Sequence, residues 1–246
     1  MITSNYKFAG KVVEINSLYD DVHAYCVDYR TNGSADFSVT ISQTDIDYER
    51  QKSADEDRHA GIAVREFPDT YLEELAVYRK IAERMPEYDT ILFHGSVIAV
   101  DGLAYLFTAK SGTGKSTHTR LWRELFGERA VMVNDDKPLL HIAGTVTAYG
   151  TPYDGKHRLS SNIAVPLKAV CILTRAAENH IEPITKADAY AMLVQQAYRP
   201  ADMAALAKTM TLIDKLANTV KLYRLGCNID ISAAQVAYNG MNNGNI

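Results

Sequence analysis

Ala109-Lys-Ser-Gly-Thr-Gly-Lys-Ser116 is the stretch on which the fold turns. Gly112 and Gly114 free the backbone to bend so that successive amides point at a single anion. Lys115 and Ser116 follow at the spacing that lets an ammonium reach β- and γ-phosphates and a hydroxyl reach Mg²⁺. The flanks match this chemistry. Ala104-Tyr-Leu-Phe-Thr runs in as an apolar strand, and Lys115 to Phe126 runs out as a helix with Leu121, Trp122 and Leu125 on one side. The start of that helix adds its positive end to the loop. Ser111, Gly112, Thr113, Gly114, Lys115, Ser116 and Thr117 are therefore the expected nucleotide-binding residues, with ATP and Mg²⁺ as the ligands.

Working outward, Asn134-Asp135-Asp136 ends the apolar run Ala130–Val133, one helix and one strand beyond the loop. A right-handed crossover lays that strand near the loop strand and parallel to it, so both open onto one crevice. Of two adjacent carboxylates there, one can hold Mg²⁺ together with Ser116, and the other can accept a proton from an attacking hydroxyl. Their like charges tend to raise one pKa. Either aspartate fits either role. Asp101-Gly102 reads as a tight hairpin turn between two apolar strands, and His94 stands just ahead of them. The turn-rich segment Tyr149 to Arg158 carries three consecutive potential cations, Lys156, His157 and Arg158, which are candidates for holding the acceptor.

The run His94-Gly95, Asp101-Gly102, Ser111-Gly-Thr-Gly-Lys-Ser116 and Asp135-Asp136 resembles the catalytic core of the HPr kinase/phosphorylase family. The loop with its downstream aspartates is also similar to phosphoenolpyruvate carboxykinase. The resemblance covers roughly residues 90 to 175. It implies a mixed-sheet, carboxykinase-like P-loop kinase core that moves the γ-phosphoryl group of ATP to a hydroxyl, a serine of a protein or peptide. By the same resemblance Lys115, Asp135 and Asp136 serve catalysis, and His94 lies at the crevice. The first 85 or so residues show no match to the family's N-terminal domain, so HPr itself is not implied as acceptor.

The rest of the chain sets bounds. Its 246 residues are 47% hydrophobic and 23% charged, with a net charge of −4. Nothing in that balance draws the protein to nucleic acid or to anionic lipid. Cys26, Cys171 and Cys227 are far apart and form neither a disulfide framework nor a zinc motif. Apolar neighbours mark all three as buried thiols. No signal peptide and no spanning segment is evident, which places the expected protein in the cytoplasm. Two domains are expected. Residues 1–88 form a small α+β domain suited to binding a substrate or partner. It has strands over Lys11–Ile15, Val22–Val27 and Asp36–Ile41, an exposed charged segment from Asp45 to His59, and a helix from Asp69 to Arg84. Residues 89–246 form the α/β nucleotide-binding domain, with antiparallel hairpins mixed into its sheet. Alternative readings are a small-molecule alcohol kinase, a non-catalytic ATP sensor, and a GTPase read from Thr185-Lys-Ala-Asp188, which more simply caps a helix. A homo-oligomer is compatible with all of them.

Overall fold

The structure is a computed structural model that describes residues 1–155 and 157–242. The chain divides into two compact units, one spanning Met1–Arg84 and the other starting at Met85.

In the first unit, β1 (Ile2–Phe8) and β2 (Lys11–Ser17) form an antiparallel hairpin, and β3 (Phe37–Thr40) joins β2 in parallel. Tyr6, Phe8, Val13, Ile15 and Val39 alternate along these strands and are buried. Helix α3 (Asp69–Arg84) contributes Leu72, Ala76 and Ile81 to the unit's interior.

One expectation fails here and another is filled in. Val22–Val27 is not a strand: Asp21–Tyr25 is a short helix, α1, followed by a 3₁₀ turn over Val27–Tyr29. Strand geometry would send Val22 and His23 to opposite faces, whereas a helical turn buries both of them with Cys26. His23 then bridges Tyr6 Oη and Ser17 Oγ, each at 2.8 Å. The segment from Asp45 to His59 is mostly exposed, as expected, with four buried positions, Ile46, Glu49, Ala54 and Asp57. It is most of a long helix, α2 (Gln43–His59), started by a reciprocal capping box between Ser42 and Asp45. Its inward stripe includes carboxylates, which disguises it. Glu49 is buried against Arg79, 2.5 Å away, and Asp57 against Arg65 at 2.7 Å.

The second unit is built on one curled mixed sheet. Its strands are β4 (Thr90–Leu92), β5 (Ser96–Val100), β6 (Leu103–Thr108), β7 (Ala130–Asn134), β8 (Leu139–Ile142), β9 (Val146–Tyr149), β10 (Ala164–Arg175), β11 (His180–Pro183) and β12 (Lys221–Cys227). They are ordered β4-β8-β9-β10-β6-β5-β7, with β12 on β10 and β11 on β12. The long strand β10 is the pivot. Ala164–Pro166 pair with β9, Leu167–Ile172 with β6, and Ala169–Arg175 with β12. The expected mixed α/β sheet is what forms.

Among the described residues, four α-helices belong to this unit: α4 (Lys115–Phe126), α5 (Lys186–Gln196), α6 (Met203–Thr219) and α7 (Ser232–Asn242). Both faces of the sheet are buried, which is why β5 and β6 read as unbroken apolar runs. Val97, Ala99, Ala104 and Leu106 pack in one core with Leu193 of α5 and Leu212, Ile213 and Leu216 of α6. Ile98, Val100, Tyr105 and Phe107 pack in the other with Leu121 and Trp122 of α4 and Ala233, Ala234 and Ala237 of α7. Thr185 caps α5 in a reciprocal box with Asp188, so that tetrapeptide serves as a helix start. Cys26 and Cys171 are fully buried, while Cys227 is only half-buried. Among the described residues no helix is long and apolar enough to cross a membrane.

Within the second core, His118 on α4 is buried against Phe107, and its Nε2 accepts the indole N–H of Trp122 at 3.0 Å. Burial pushes its pKa down to about 4 from the ordinary 6.5. A histidine whose pKa falls on folding leaves stability intact above its unfolded value and weakens the fold as pH drops towards the folded value. We therefore expect this group to remove about 3 kcal/mol of stability between pH 6.5 and 4, at 1.36 kcal/mol per unit. Urea titrations across that range test it. His118→Gln, which keeps an acceptor for Trp122, should flatten the dependence.

Candidate active site

The position of the site follows from strand directions. β5 pairs antiparallel with both β6 and β7, so β6 and β7 run parallel with β5 between them. The crossover thus gives the expected parallel direction, although the two strands do not touch in the sheet order. Ser96 pairs with Phe107, and Val97 with Asn134. The end of β6, the end of β7 and the start of β5 therefore meet at one edge of the sheet. β10 runs parallel to β6, so its last residue, Arg175, faces the same edge.

From the end of β6 the chain enters Ala109–Gly114. Gly112 and Gly114 hold φ of +75° and +121°, in the left-handed region that side chains disfavour. The hydroxyl of Thr113 donates to the Lys110 carbonyl at 2.8 Å. Gly114 occupies the N-cap of α4, and its lack of a side chain leaves the first-turn amides without the usual capping oxygen. Arg175 Nη2 donates to the Gly112 carbonyl at 2.5 Å and ties the loop to the end of β10. Lys115, Ser116 and Thr117 form the first turn of α4.

The two aspartates have different surroundings. Asp135 is buried, and its Oδ1 accepts from Ser96 Oγ at 2.6 Å and from Thr119 Oγ1 at 3.5 Å. Asp136 is half-buried, with His94 Nε2 at 3.2 Å and Lys137 Nζ at 3.9 Å. Asn134 divides them. Its Oδ1 accepts the amides of Asp136 and Lys137, and its Nδ2 donates to the carbonyl and hydroxyl oxygens of Thr151. His94 is fixed through its backbone, donating to the Gln196 carbonyl and accepting from Thr108 Oγ1.

Charge follows geometry. Burial alone would raise the Asp136 carboxyl, but the His94 hydrogen bond and the charges of Lys137, His94 and Lys115 hold it below the usual range. Mutual repulsion was expected to lift one carboxyl of the pair, and Asp136 goes the other way because cations surround it. Lys115 is pulled down by burial, opposed by the negative charges of Asp136 and Asp135. The ammonium and the two carboxylates therefore share one partly desolvated field.

The Tyr149–Arg158 segment also comes to this edge. A Cβ placed on Gly155 would stand 3.0 Å from Asp135 Oδ2, so the loop lies directly over the buried carboxylate. His157 joins Asp135 and Ser116 in lining a cavity of about 490 Å³. Arg158 turns the chain at φ +47° and donates its amide to Gly155. Lys156 lies outside the described residues.

Sequence reasoning missed Ser96, Thr119, Arg120, Arg123 and Arg175. Thr119, Arg120 and Arg123 had a readable signal, since they lie three, four and seven residues beyond Ser116 on one stripe of α4. Ser96 and Arg175 depend on strand register, which no local pattern announces.

No curated protein matches the chain. Among solved structures it is similar to the HPr(Ser) kinase/phosphatase from Coxiella burnetii, at 9% identity and a TM-score of 0.34, covering 60% of this chain and 94% of that one. The model of the family described as "SynChlorMet cassette protein ScmC" matches residues 70–239, from α3 through nearly all of the second unit, and the chain belongs to that family.

Proposed function

We propose that this protein is an ATP- and Mg²⁺-dependent kinase that transfers the γ-phosphoryl group to a hydroxyl, most simply a serine of a protein or peptide. One observation carries the reading: a glycine-turned loop and an uncapped helix start open at the same strand ends as a buried and a half-buried carboxylate whose charges reach Lys115. Amides left without a capping oxygen at a helix start suit a polyanion. The donor set also fits the metal, because Ser116 and Asp136 offer the hard oxygens that Mg²⁺ takes beside substrate phosphates. When bound, the metal supplies charge neutralisation on the phosphates.

The chain's own residues divide the remaining work. The loop amides and Lys115 bind the phosphates, and Arg175 holds the Gly112 carbonyl in place. Asp135 faces the cavity beside Ser116 and is the carboxylate placed to take the proton of an incoming hydroxyl. Ser96 and Thr119 fix one of its oxygens, leaving Oδ2 beneath Gly155. Asp136 stays ionised through His94 and Lys137, and with His94 it sets the field around Lys115. Gly155 keeps the acceptor loop close without crowding the carboxylate.

Two measurements test this. Asp135→Asn and Asp136→Asn should each retain ATP binding within a fewfold while lowering phosphoryl transfer by at least about a hundredfold, the scale of a lost general base or metal carboxylate. Loss of nucleotide binding in both would point to a structural role instead. Incubating the wild-type chain with γ-labelled ATP, Mg²⁺ and fractionated cell extract should label a hydroxyl acceptor. Release of free phosphate alone from every fraction would sink the transferase reading.

A further inference from the structure

The cavity beside Asp135 has basic residues on its wall. Arg120, Arg123 and His157 stand on its wall together with Ser116, Thr119 and Asp135. Side chains three, four and seven residues beyond Ser116 share one stripe of α4, and Thr119 on that stripe touches Asp135. Arg120 is engaged by Glu124 on the next turn. Arg123 differs. Its Nε is enclosed by protein and has no hydrogen-bond partner. A guanidinium is always charged, and among the described residues no carboxylate pairs with that of Arg123, so where Arg123 lines the cavity its outer nitrogens are the donors an entering anion meets.

We propose that this cavity is the acceptor subsite and that its Arg123 end takes an anionic group, carboxylate or phosphate, so the substrate is an alcohol carrying a negative charge a few bonds from its reacting hydroxyl. The assignment of the reacting end rests on the kinase reading above. Seven residues of helix separate Arg123 from Ser116 by about 10 Å along the axis, which sets the anion apart from the transferred phosphoryl group. Asp135 repels an anion at the near end, and Arg123 attracts it seven residues beyond Ser116 along α4, so the acceptor has one orientation. In that orientation the hydroxyl oxygen forms the new bond to the γ-phosphorus, the bond from that phosphorus to the β,γ-bridging oxygen breaks, ADP leaves, and the hydroxyl proton passes to Asp135. A volume of about 490 Å³ falls within the range of small-ligand pockets and admits a small hydroxy acid or a short peptide end.

The test uses the full chain with three small probes: glycerol 3-phosphate, glycerate and glycerol. Each is titrated with and without Mg²⁺ and a non-hydrolysable ATP analogue, following the ¹⁵N resonance of the Arg123 Nε–H. We expect one or both anionic probes to bind at least tenfold more tightly than glycerol and to shift that resonance, with the stronger of the two identifying phosphate or carboxylate. Arg123→Gln should lower the anion affinity at least tenfold and leave binding of the ATP analogue unchanged. Its melting temperature should not fall, because no intramolecular bond is lost. Equal binding of all three probes, or an unchanged anion affinity in Arg123→Gln, overturns the subsite. A wild-type chain that binds the anions but not the ATP analogue overturns the kinase reading and leaves the subsite standing.

Discussion

One antiparallel strand between two parallel ones is the constraint behind the rest of the second unit. Because β5 reverses direction, the ends of β6 and β7 lie at the same sheet edge as the start of β5. The loop that begins α4, the Asp135–Asp136 pair and the His94-Gly95-Ser96 approach are therefore brought together by main-chain hydrogen bonds rather than by side-chain contacts. A single-residue slip of β5 would send Ser96 to the opposite face and take the 2.6 Å donor away from Asp135. The packing opposes such a slip. Val97 and Ala99 are buried in one core while Ile98 and Val100 are buried in the other, so the register is fixed from both sides.

On that frame the electrostatics are differentiated by one asparagine. Asn134 accepts two successive amides and donates to Thr151, which fixes the turn between the aspartates. Asp135 goes inward to hydroxyl donors, and Asp136 goes to His94 and Lys137. Two like charges on adjacent residues thereby acquire separate counter-groups instead of competing for one. Burying carboxylates is expensive without such partners, and Lys115 extends the same field across the edge.

How much of this was legible in the sequence depended on the distance over which the cause acts. The loop, its strand and helix, and the Asp101-Gly102 hairpin are local, and their glycines and apolar runs announced them. Helix α5 was readable from Thr185 for the same reason. The inward stripe of α2 includes Glu49 and Asp57 alongside Ile46, and these carboxylates become interior only because Arg79 and Arg65 arrive from elsewhere in the chain. Charge alone therefore showed the exposed face and concealed the buried stripe. Val22–Val27 misled for the opposite reason, since its β-branched ends suggested a strand while the bond from His23 to Tyr6 required a helical turn. Ser96 entered the site through register, and nothing within a few residues of it carries that information.

The contrast between Asp135 and Arg123 shows where this molecule is finished and where it is open. Both reach the same cavity from its wall. The carboxylate has one oxygen committed to Ser96 and Thr119, so its orientation is set before anything binds. The enclosed Nε of Arg123 has no such commitment. On the proposed reading, the completed group lies where chemistry needs a fixed direction, and the unpaired guanidinium lies where an anion would be recognised. On the same reading, the seven residues of α4 between Ser116 and Arg123, about 10 Å along its axis, set how far an acceptor's charge stands from its hydroxyl.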